Sequence, residues 1–334
     1  MSTSIFRTRR FAAVAAAAVA VAVGVSACSS SSGGKSINLV AYSVPKPAYD
    51  ALSTAFAKTS QGKGFTLNAS YGPSGTQRDA VLNGQSADVV NFSTGADMSA
   101  LVPDKVDANW DQGPTKGIIA DSVVAIVVRP GNPLGIKGWD DLTKPGVNIV
   151  TPDPASSGSA KWNILAAYSH VLSQGGSAAD AETYLKSFFA HVVSRASSGS
   201  DAMQQFLNGT GNVLISYEAE AIAARQAGEK VDYIVPDQTM LIQTPAAVTK
   251  NGSQLAKDFL TYAESKDGQE IFASKGFRPA LDGVTATNVA GANDPGNPFP
   301  TPTDLTTIDD LGGWDVVNDK FFGDNGIVTK IESS

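Results

Sequence analysis

The sequence predicts an α/β fold with mainly parallel sheets flanked by helices. Short runs rich in β-branched and aromatic residues alternate with helical patterns along the 334 residues, and this alternation is typical of parallel α/β architectures. At three places a strand-like run ends in a Ser-containing turn that opens directly into a helical pattern. No repeat of roughly 20–50 residues is evident, which excludes a solenoid.

Each element is predicted from its local pattern. Short apolar runs predict strands at 37–42, 65–70, 87–92, 122–129, 147–151, 213–217 and 231–235. Apolar residues at helical spacing, such as Tyr49, Leu52 and Phe56 in the first helix, predict helices near 47–59, 76–83, 160–173, 178–190, 201–208, 218–227, 254–263 and 267–275. The segment 291–302 is rich in Pro, Gly and Asn, and we expect it to be extended surface chain.

The segment TPDPASSGSAKWN, which begins at Thr151, carries the strongest functional signal. Pro152 and Pro154 prevent simple continuation of the preceding strand. Apolar spacing from Trp162 onward predicts a helix that begins near Ser159. The first N–H groups of a helix have no intrahelical partner and carry the positive end of its dipole, so this turn is suited to an anion.

Two further turns support an anion site. On its own, the SSGS turn at Ser157, Gly158 and Ser159 could be no more than a Ser-capped helix, because Ser is a preferred N-cap. Ser43 and Ser74, however, occupy turns of the same kind after two other strands, and the carboxyl ends of strands in an open α/β sheet lie together. None of these turns has Lys or Arg in its Ser/Gly core, so neutral donors and dipoles would meet the ligand's charge.

Residues 1–27 are expected to be a secretory signal. Three arginines precede the apolar run 11–25, which is shorter than the roughly 20 residues of a membrane span. The residues before Cys28 resemble a bacterial lipobox, which implies a lipid anchor on Cys28 at the extracytoplasmic face of the cell membrane. Residues 28–36 would then be a flexible tether. The alternative is an ordinary signal peptide with an incidental cysteine.

Composition excludes several classes of protein. Cys28 is the sole cysteine, so no intramolecular disulfide can form. Loss of residues 1–27 removes three arginines and no acidic residue, which moves the formal net charge from -7 to -10 and argues against nucleic-acid binding. His170 and His191 lack Cys or carboxylate neighbours at ligand spacing, so we expect no metal site and no cofactor.

A series of motifs in one order covers residues 37 to about 325: LVAYSVPKPAYDAL, YGPSGTQ, NGQSADVV, VVRPGNP, DLTKPGVNIVTPDPASSGSAKWN, NVLISYEAEA, DGQEIFASKGFRP and TIDDLGGW. This series resembles the sulfate-binding proteins of ABC importers, which have the type II periplasmic-binding-protein fold. The resemblance implies two α/β lobes, 37–120 with 241–334 and 121–240, that enclose sulfate. It also implies a monomer that delivers sulfate to a membrane permease driven by a cytoplasmic ATPase.

In that family the sulfate is dehydrated and held only by hydrogen-bond donors. The resemblance assigns these donors to the Ser43 N–H, the Ser74 hydroxyl, the Ser157 hydroxyl, the Gly158 and Ser159 N–H groups, an N–H near Ser198 and the Tyr217 hydroxyl.

This chain departs from the family pattern at three points. The family's SSGG is SSGS here, which places Ser159 where the second glycine stands. The family's indole donor, in a V-L-I-A-W-E-type motif, is replaced by Tyr217, which could instead be an aromatic residue packed on the core. The match is loose by one residue around Ser198, so Ser197 and Gly199 remain alternatives.

Sulfate is fully ionised at neutral pH and only accepts hydrogen bonds, whereas phosphate keeps a proton and requires an acceptor. The acidic residues nearest the turns, Asp153 and Glu218, are therefore expected to point away or to orient donors. A binding protein for thiosulfate, molybdate or phosphate is the alternative. A serine hydrolase using Ser157 or Ser74 is a remote alternative, because there is no G-x-S-x-G elbow and the histidines lie on predicted helices away from the turns. We therefore expect that the protein is not an enzyme.

Overall fold

The computed structural model describes residues 35–333. Its strands are β1 (Lys35–Tyr42), β2 (Phe65–Gly72), β3 (Val89–Asn91), β4 (Ile118–Val128), β5 (Ile149–Pro152), β6 (Val192–Ala196), β7 (Val213–Tyr217), β8 (Asp232–Ile234), β9 (Gln238–Val248) and β10 (Asp304–Thr306). Its α-helices are α1 (Lys46–Phe56), α2 (Ser74–Leu82), α3 (Gly95–Ser99), α4 (Gly158–Ser173), α5 (Ala178–Ala190), α6 (Gly199–Leu207), α7 (Glu218–Gln226), α8 (Gln254–Glu264), α9 (Lys266–Ser274), α10 (Gly313–Val317) and α11 (Ile327–Glu332).

The strands form one sheet in the order β2-β1-β3-β9-β4-β7-β5-β6, with β10 beside β9 and β8 beside β4. β1 pairs in parallel with β2 and β3, and β5 pairs in parallel with β6 and β7. Between these two parallel parts, β4 and β9 run antiparallel to each other and to β3 and β7. The predicted α/β class is confirmed, with the antiparallel pairs in the middle of the sheet.

The long strands β4 and β9 join the two parts of the sheet. β9 pairs with β3 through 246–248 and with β4 through 241–245. β4 pairs with β9 through 118–123 and with β7 through 124–128. β9 therefore adjoins the first parallel part, β4 adjoins the second, and the pairing of β4 with β9 joins the two parts.

Every predicted strand and helix is present within a few residues of its predicted bounds. β9 was not predicted, because Pro245 and the polar residues of QTMLIQTPAAV hide its strand pattern. β6, β10, α3, α10 and α11 were also missed, and all are short. β1 begins at Lys35, so 35–36 belong to a strand rather than to the predicted tether. The predicted signal segment and Cys28 lie outside the described residues.

Helix α4 is buried over most of its surface and packs against α5 and β9. Trp162 is fully buried, and its indole N–H donates to the Ser93 carbonyl oxygen at 2.8 Å. Its ring meets that of Trp314 edge-on with centroids 4.8 Å apart. The start of α4 is therefore held against the chain that follows β3. None of the helices within 35–333 is long and apolar enough to span a membrane.

Candidate functional site

A small cavity lies where the carboxyl ends of several strands meet. Its volume is about 10 Å³, which is close to the minimum that holds one water molecule. Helices α2, α4 and α6 begin at its wall, so the positive ends of three helix dipoles converge on it. None of its lining residues is charged: Tyr42, Ser43, Val44, Gly72, Pro73, Ser74, Ser93, Ser157, Gly158, Ser159, Ser198 and Gly199.

Ser157 is the N-cap residue of α4, but its side chain makes no capping hydrogen bond. Its backbone N–H donates to the Asp153 carbonyl oxygen at 2.9 Å. Ser177, at the start of α5, behaves differently and closes a capping box with Asp180. The structure thus contradicts the reading of SSGS as a side-chain cap and leaves the Ser157 hydroxyl available at the cavity.

Gly158 and Ser159 are the first two residues of α4, so their N–H groups have no intrahelical partner. A Cβ at position 158 would lie 2.6 Å from Ser93 Oγ and 2.8 Å from Thr94 Cγ2, so only glycine fits there. Ser159 has ordinary helical conformation, which explains why a non-glycine residue is tolerated. Its Oγ is buried without a hydrogen-bond partner of ordinary geometry among the described residues.

Ser43 and Ser74 line the cavity from the ends of β1 and β2. Ser74 Oγ donates to Asp97 Oδ2 at 2.7 Å and accepts the Ser93 N–H at 2.9 Å. A hydroxyl has a single proton, and here that proton is directed at Asp97. Ser74 is also the first residue of α2, so its backbone N–H, rather than its hydroxyl, is the donor left without an internal partner.

Ser198 caps α6, because its Oγ accepts the Asp201 N–H at 3.1 Å and donates to Asp201 Oδ2 at 2.8 Å. Ser197 is exposed and does not line the cavity, whereas Gly199 does. A Cβ at position 199 would lie 3.2 Å from Ser159 Oγ, so the starts of α6 and α4 are adjacent. Of residues 197–199, only Ser198 and Gly199 line the cavity.

Tyr217 is fully buried and does not line the cavity. Its hydroxyl oxygen lies 2.7 Å from Ser93 Oγ, and its ring centroid lies 6.3 Å from that of Tyr42. Burial raises the pKa of Tyr217 well above its ordinary value of 10.0, so the hydroxyl keeps its proton at neutral pH. Tyr217 is therefore bonded to a cavity residue without being one.

Sequence reasoning missed two cavity residues, Ser93 and Tyr42. Ser93 follows the predicted strand 87–92, so the strand-then-Ser signal was present, but α3 is too short to reveal helical spacing. Tyr42 is the last residue of β1, and its hydroxyl is buried without a partner among the described residues. Burial raises the pKa of Tyr42 above its usual range, so this hydroxyl is also neutral.

Two buried carboxyl groups lie beside the cavity without lining it. Asp97 is bonded to Ser74 as described above. Glu220 accepts the hydroxyls of Ser200 at 3.1 Å and Ser216 at 2.5 Å. Burial raises the pKa of Glu220 to about 7. Both groups orient hydroxyl donors, which is the role that the sequence had suggested for other acidic residues.

The charged residues near the turns bind partners outside the cavity. Asp153 Oδ1 accepts the Ala155 N–H at 2.8 Å, and Glu218 pairs with Arg278 at 2.8 Å. The basic side chains are bonded as Lys46 to Asp50, Arg78 to Asp79 and Asp97, and Lys161 to Asn318. The groups left to meet an anion at the cavity are therefore backbone N–H groups, hydroxyls and helix dipoles.

The two histidines are bonded away from the cavity. His170 Nε2 lies 2.9 Å from Asp140 Oδ1, and His191 Nδ1 lies 2.9 Å from the Val147 carbonyl oxygen. Within 35–333 no group of three or more His, Cys, Asp or Glu is arranged to hold a metal ion.

Comparison with known proteins identifies the family. Residues 37–278 match the family model described as "Bacterial extracellular solute-binding protein". This chain belongs to that family. The sulfate-binding protein of Synechococcus elongatus is similar to this solute-binding protein, with 38% identity over 321 residues that cover 91% of this chain and 90% of the relative. The thiosulfate-binding protein of Pseudomonas aeruginosa is 29% identical over 309 residues, which cover 88% of this chain and 91% of that relative.

A solved structure is also similar over nearly its full length. The sulfate-binding protein SubI from Mycobacterium tuberculosis H37Rv superposes with a TM-score of 0.81 at 42% identity, covering 86% of this chain and 99% of that chain. The resemblance predicted from the ordered motifs is thereby confirmed.

Proposed function

We propose that this solute-binding protein captures sulfate outside the cytoplasm and delivers it to an ABC permease with a cytoplasmic ATPase. The observation that carries the proposal is the small cavity at the starts of α2, α4 and α6, whose lining has hydroxyls and backbone N–H groups but no charged side chain. Such a lining suits a dianion that has no proton to donate. Relatives at 38% and 42% identity are named sulfate-binding proteins, which supports the same ligand here.

The proposed donors approach the anion from several helix starts. Charge-assisted hydrogen bonds contribute roughly 1.5–3 kcal/mol each. About six of them can offset dehydration and conformational closure and leave about -8 kcal/mol, which corresponds to a micromolar Kd. The direct donors are the N–H groups of Ser43, Ser74, Gly158, Ser159 and either Ser198 or Gly199, together with the Ser157 hydroxyl.

Two lobes, 37–120 with 241–334 and 121–240, would close on the ligand. The pairing of β4 and β9 supports this division, because β9 pairs with β3 of the first part, β4 pairs with β7 of the second, and the two long strands pair with each other between them. An anion that bridges both lobes favours the closed form over the open one. The first lobe supplies Ser43 and Ser74, and the second supplies Ser157, Gly158, Ser159 and Ser198.

The lipid anchor on Cys28 and the extracytoplasmic location are part of the proposal. They rest on the basic start, the apolar run 11–25 and the lipobox-like residues before Cys28. Mass spectrometry of the N-terminal peptide from the membrane fraction tests this point. A diacylglyceryl-modified Cys28 is expected, and an unmodified Cys28 would indicate an ordinary signal peptide. We propose that the mature protein acts as a monomer.

A purely binding role fits the chemistry of the cavity better than hydrolysis. Nucleophilic catalysis by Ser157 or Ser74 requires an adjacent base. Asp97, the carboxylate that bonds Ser74, is itself paired with Arg78 at 2.7 Å, and the contacts of His170 and His191 lie elsewhere. The similarity to solute-binding proteins supports the same conclusion.

Isothermal titration tests the ligand. The chain from Ser29 onward, which keeps every described residue, is titrated with sulfate, thiosulfate, molybdate and phosphate at pH 7 after exhaustive dialysis. One-to-one sulfate binding in the micromolar range or tighter, without phosphate binding, is the expected result. Preference for thiosulfate, the ligand named for a 29% identical relative, would replace sulfate in the proposal. No binding of any oxyanion would overturn it.

A further inference from the structure

The hydroxyls of Ser93 and Tyr217 form a buried pair at the wall of the cavity. Their oxygens are 2.7 Å apart, and either can be the donor. The two residues are 1% and 0% exposed. They are separated by more than a hundred positions in the chain and are brought together only by the fold.

Hydrogen bonds of its backbone hold Ser93 in place. Its backbone N–H donates to Ser74 Oγ at 2.9 Å, and its carbonyl oxygen accepts the Trp162 indole N–H at 2.8 Å. Its Oγ lies only 2.6 Å from the position that a Cβ of Gly158 would occupy. The Ser93 hydroxyl is therefore fixed against the start of α4, at the point where the proposed anion meets the N–H groups of that helix.

Tyr217 contacts the lining of the cavity through its 2.7 Å hydrogen bond to Ser93. Its own side chain is not part of the lining, whereas Ser93 is. A hydroxyl has one proton and two acceptor lone pairs. If the Tyr217 proton is donated to Ser93 Oγ, the Ser93 proton is free to be donated into the cavity.

We propose that the Ser93 hydroxyl is a direct donor to the bound oxyanion and that Tyr217 is a positioning residue that acts through it. This inference rests on the proposed function. It adds Ser93 to the proposed donors, and Ser93 is not among the donors that the family resemblance implies. It also explains how the site works without the indole that the resembling motif carries at position 217. Buried Tyr217 keeps its proton because burial raises its pKa, with smaller lowering effects from hydrogen bonding to Ser93 and Ser159.

The test is a double-mutant cycle on the sulfate Kd, measured by titration calorimetry with the chain from Ser29 onward. Ser93→Ala is expected to weaken binding about 10- to 100-fold, the loss of one charge-assisted hydrogen bond. Tyr217→Phe is expected to weaken it about 3- to 10-fold, because Ser93 then lacks the bond that orients it. In the Ser93→Ala background, Tyr217→Phe should have no further effect.

Tyr184→Phe is the matched control, because it removes a tyrosine hydroxyl that donates to the Trp139 carbonyl oxygen at 2.6 Å, away from the cavity. It should lower the Tm without changing the Kd. A rescue experiment adds a result that a purely structural role would not produce. In the double variant Ser93→Ala/Tyr217→Trp, the tryptophan supplies an indole N–H, and the alanine removes the Ser93 hydroxyl that would obstruct it. This variant should recover at least half of the lost affinity on a logarithmic scale.

The outcomes are distinct from those of the function test. If wild-type protein binds sulfate and Ser93→Ala leaves the Kd unchanged, Ser93 is not a ligand donor and this inference is overturned while the proposed function stands. If the fold-changes in Kd of Ser93→Ala and Tyr217→Phe multiply in the double variant, Tyr217 does not act through Ser93. If wild-type protein binds no oxyanion, the proposed function and this inference are both overturned.

Discussion

Replacement of Ser157 by alanine separates ligand binding from helix stability. The Ser157 hydroxyl lies at the cavity and makes no capping hydrogen bond, so its loss should change the free energy of unfolding by no more than about 0.5 kcal/mol. The proposed bond to a dehydrated dianion is charge-assisted, and its loss should cost about 1.5–3 kcal/mol of binding free energy. The sulfate Kd should therefore rise about 10- to 150-fold.

Ser177→Ala is the matched control on the neighbouring helix. Ser177 closes a capping box with Asp180, and its Oγ accepts the Asp180 N–H at 3.2 Å. Loss of such a cap typically costs about 0.5–2 kcal/mol of stability. Because Ser177 does not line the cavity, the sulfate Kd should remain at the wild-type value. Ser157→Ala is thus expected to weaken sulfate binding without loss of stability, and Ser177→Ala is expected to lower stability without weakening sulfate binding.

Calorimetry gives the Kd of each variant at pH 7, and urea unfolding gives its stability. The unfolding experiment must be free of sulfate, because a ligand that binds only the folded state raises apparent stability by mass action. The reasoning is refuted if Ser157→Ala binds sulfate as wild type does and loses stability like Ser177→Ala. That result would make Ser157 a cap and remove the SSGS turn from the site.

Three further predictions concern packing and charge. Gly158→Ala should weaken sulfate binding at least about tenfold in calorimetry, because its Cβ would meet Ser93 Oγ at 2.6 Å; wild-type affinity would contradict this. Glu218→Ala should cost about 3–5 kcal/mol in urea unfolding, because the Arg278 guanidinium loses its buried carboxylate; a change below about 1 kcal/mol would show that the pair is dispensable. Burial raises the pKa of Asp121 from 3.8 to about 7, opposed by Arg278. The folded state therefore holds the Asp121 proton more tightly than the unfolded state does, and the free energy of unfolding should fall as pH rises from about 4 to 7. In urea unfolding at several pH values, Asp121→Asn should make the free energy of unfolding depend less on pH over this range. An unchanged dependence on pH would exclude Asp121 as the group responsible.

Local sequence was sufficient for most elements and for much of the site. The turns after β1, β2 and β5 were recognisable because Pro and Gly stop a strand and the next apolar residues have helical spacing. Ser43, Ser74 and Ser157 were found in this way. β9 was not, because Pro245 and its polar neighbours conceal a strand that is stabilised by pairing with β3 and β4. This strand is recognisable only from its contacts with segments that lie far away in the sequence.

The sequence by itself determined the α/β class, the order of the elements and the turns with orphan N–H groups, because backbone propensity and helix-end chemistry act over a few residues. Only the tertiary structure decided which hydroxyls are free. Ser74 directs its proton to Asp97, Ser198 caps α6, and Ser157 caps nothing. Only the fold brings Ser93 to Tyr217. The physical reason is that a hydroxyl has a single proton, and its direction is set by whichever acceptor the folded chain places beside it.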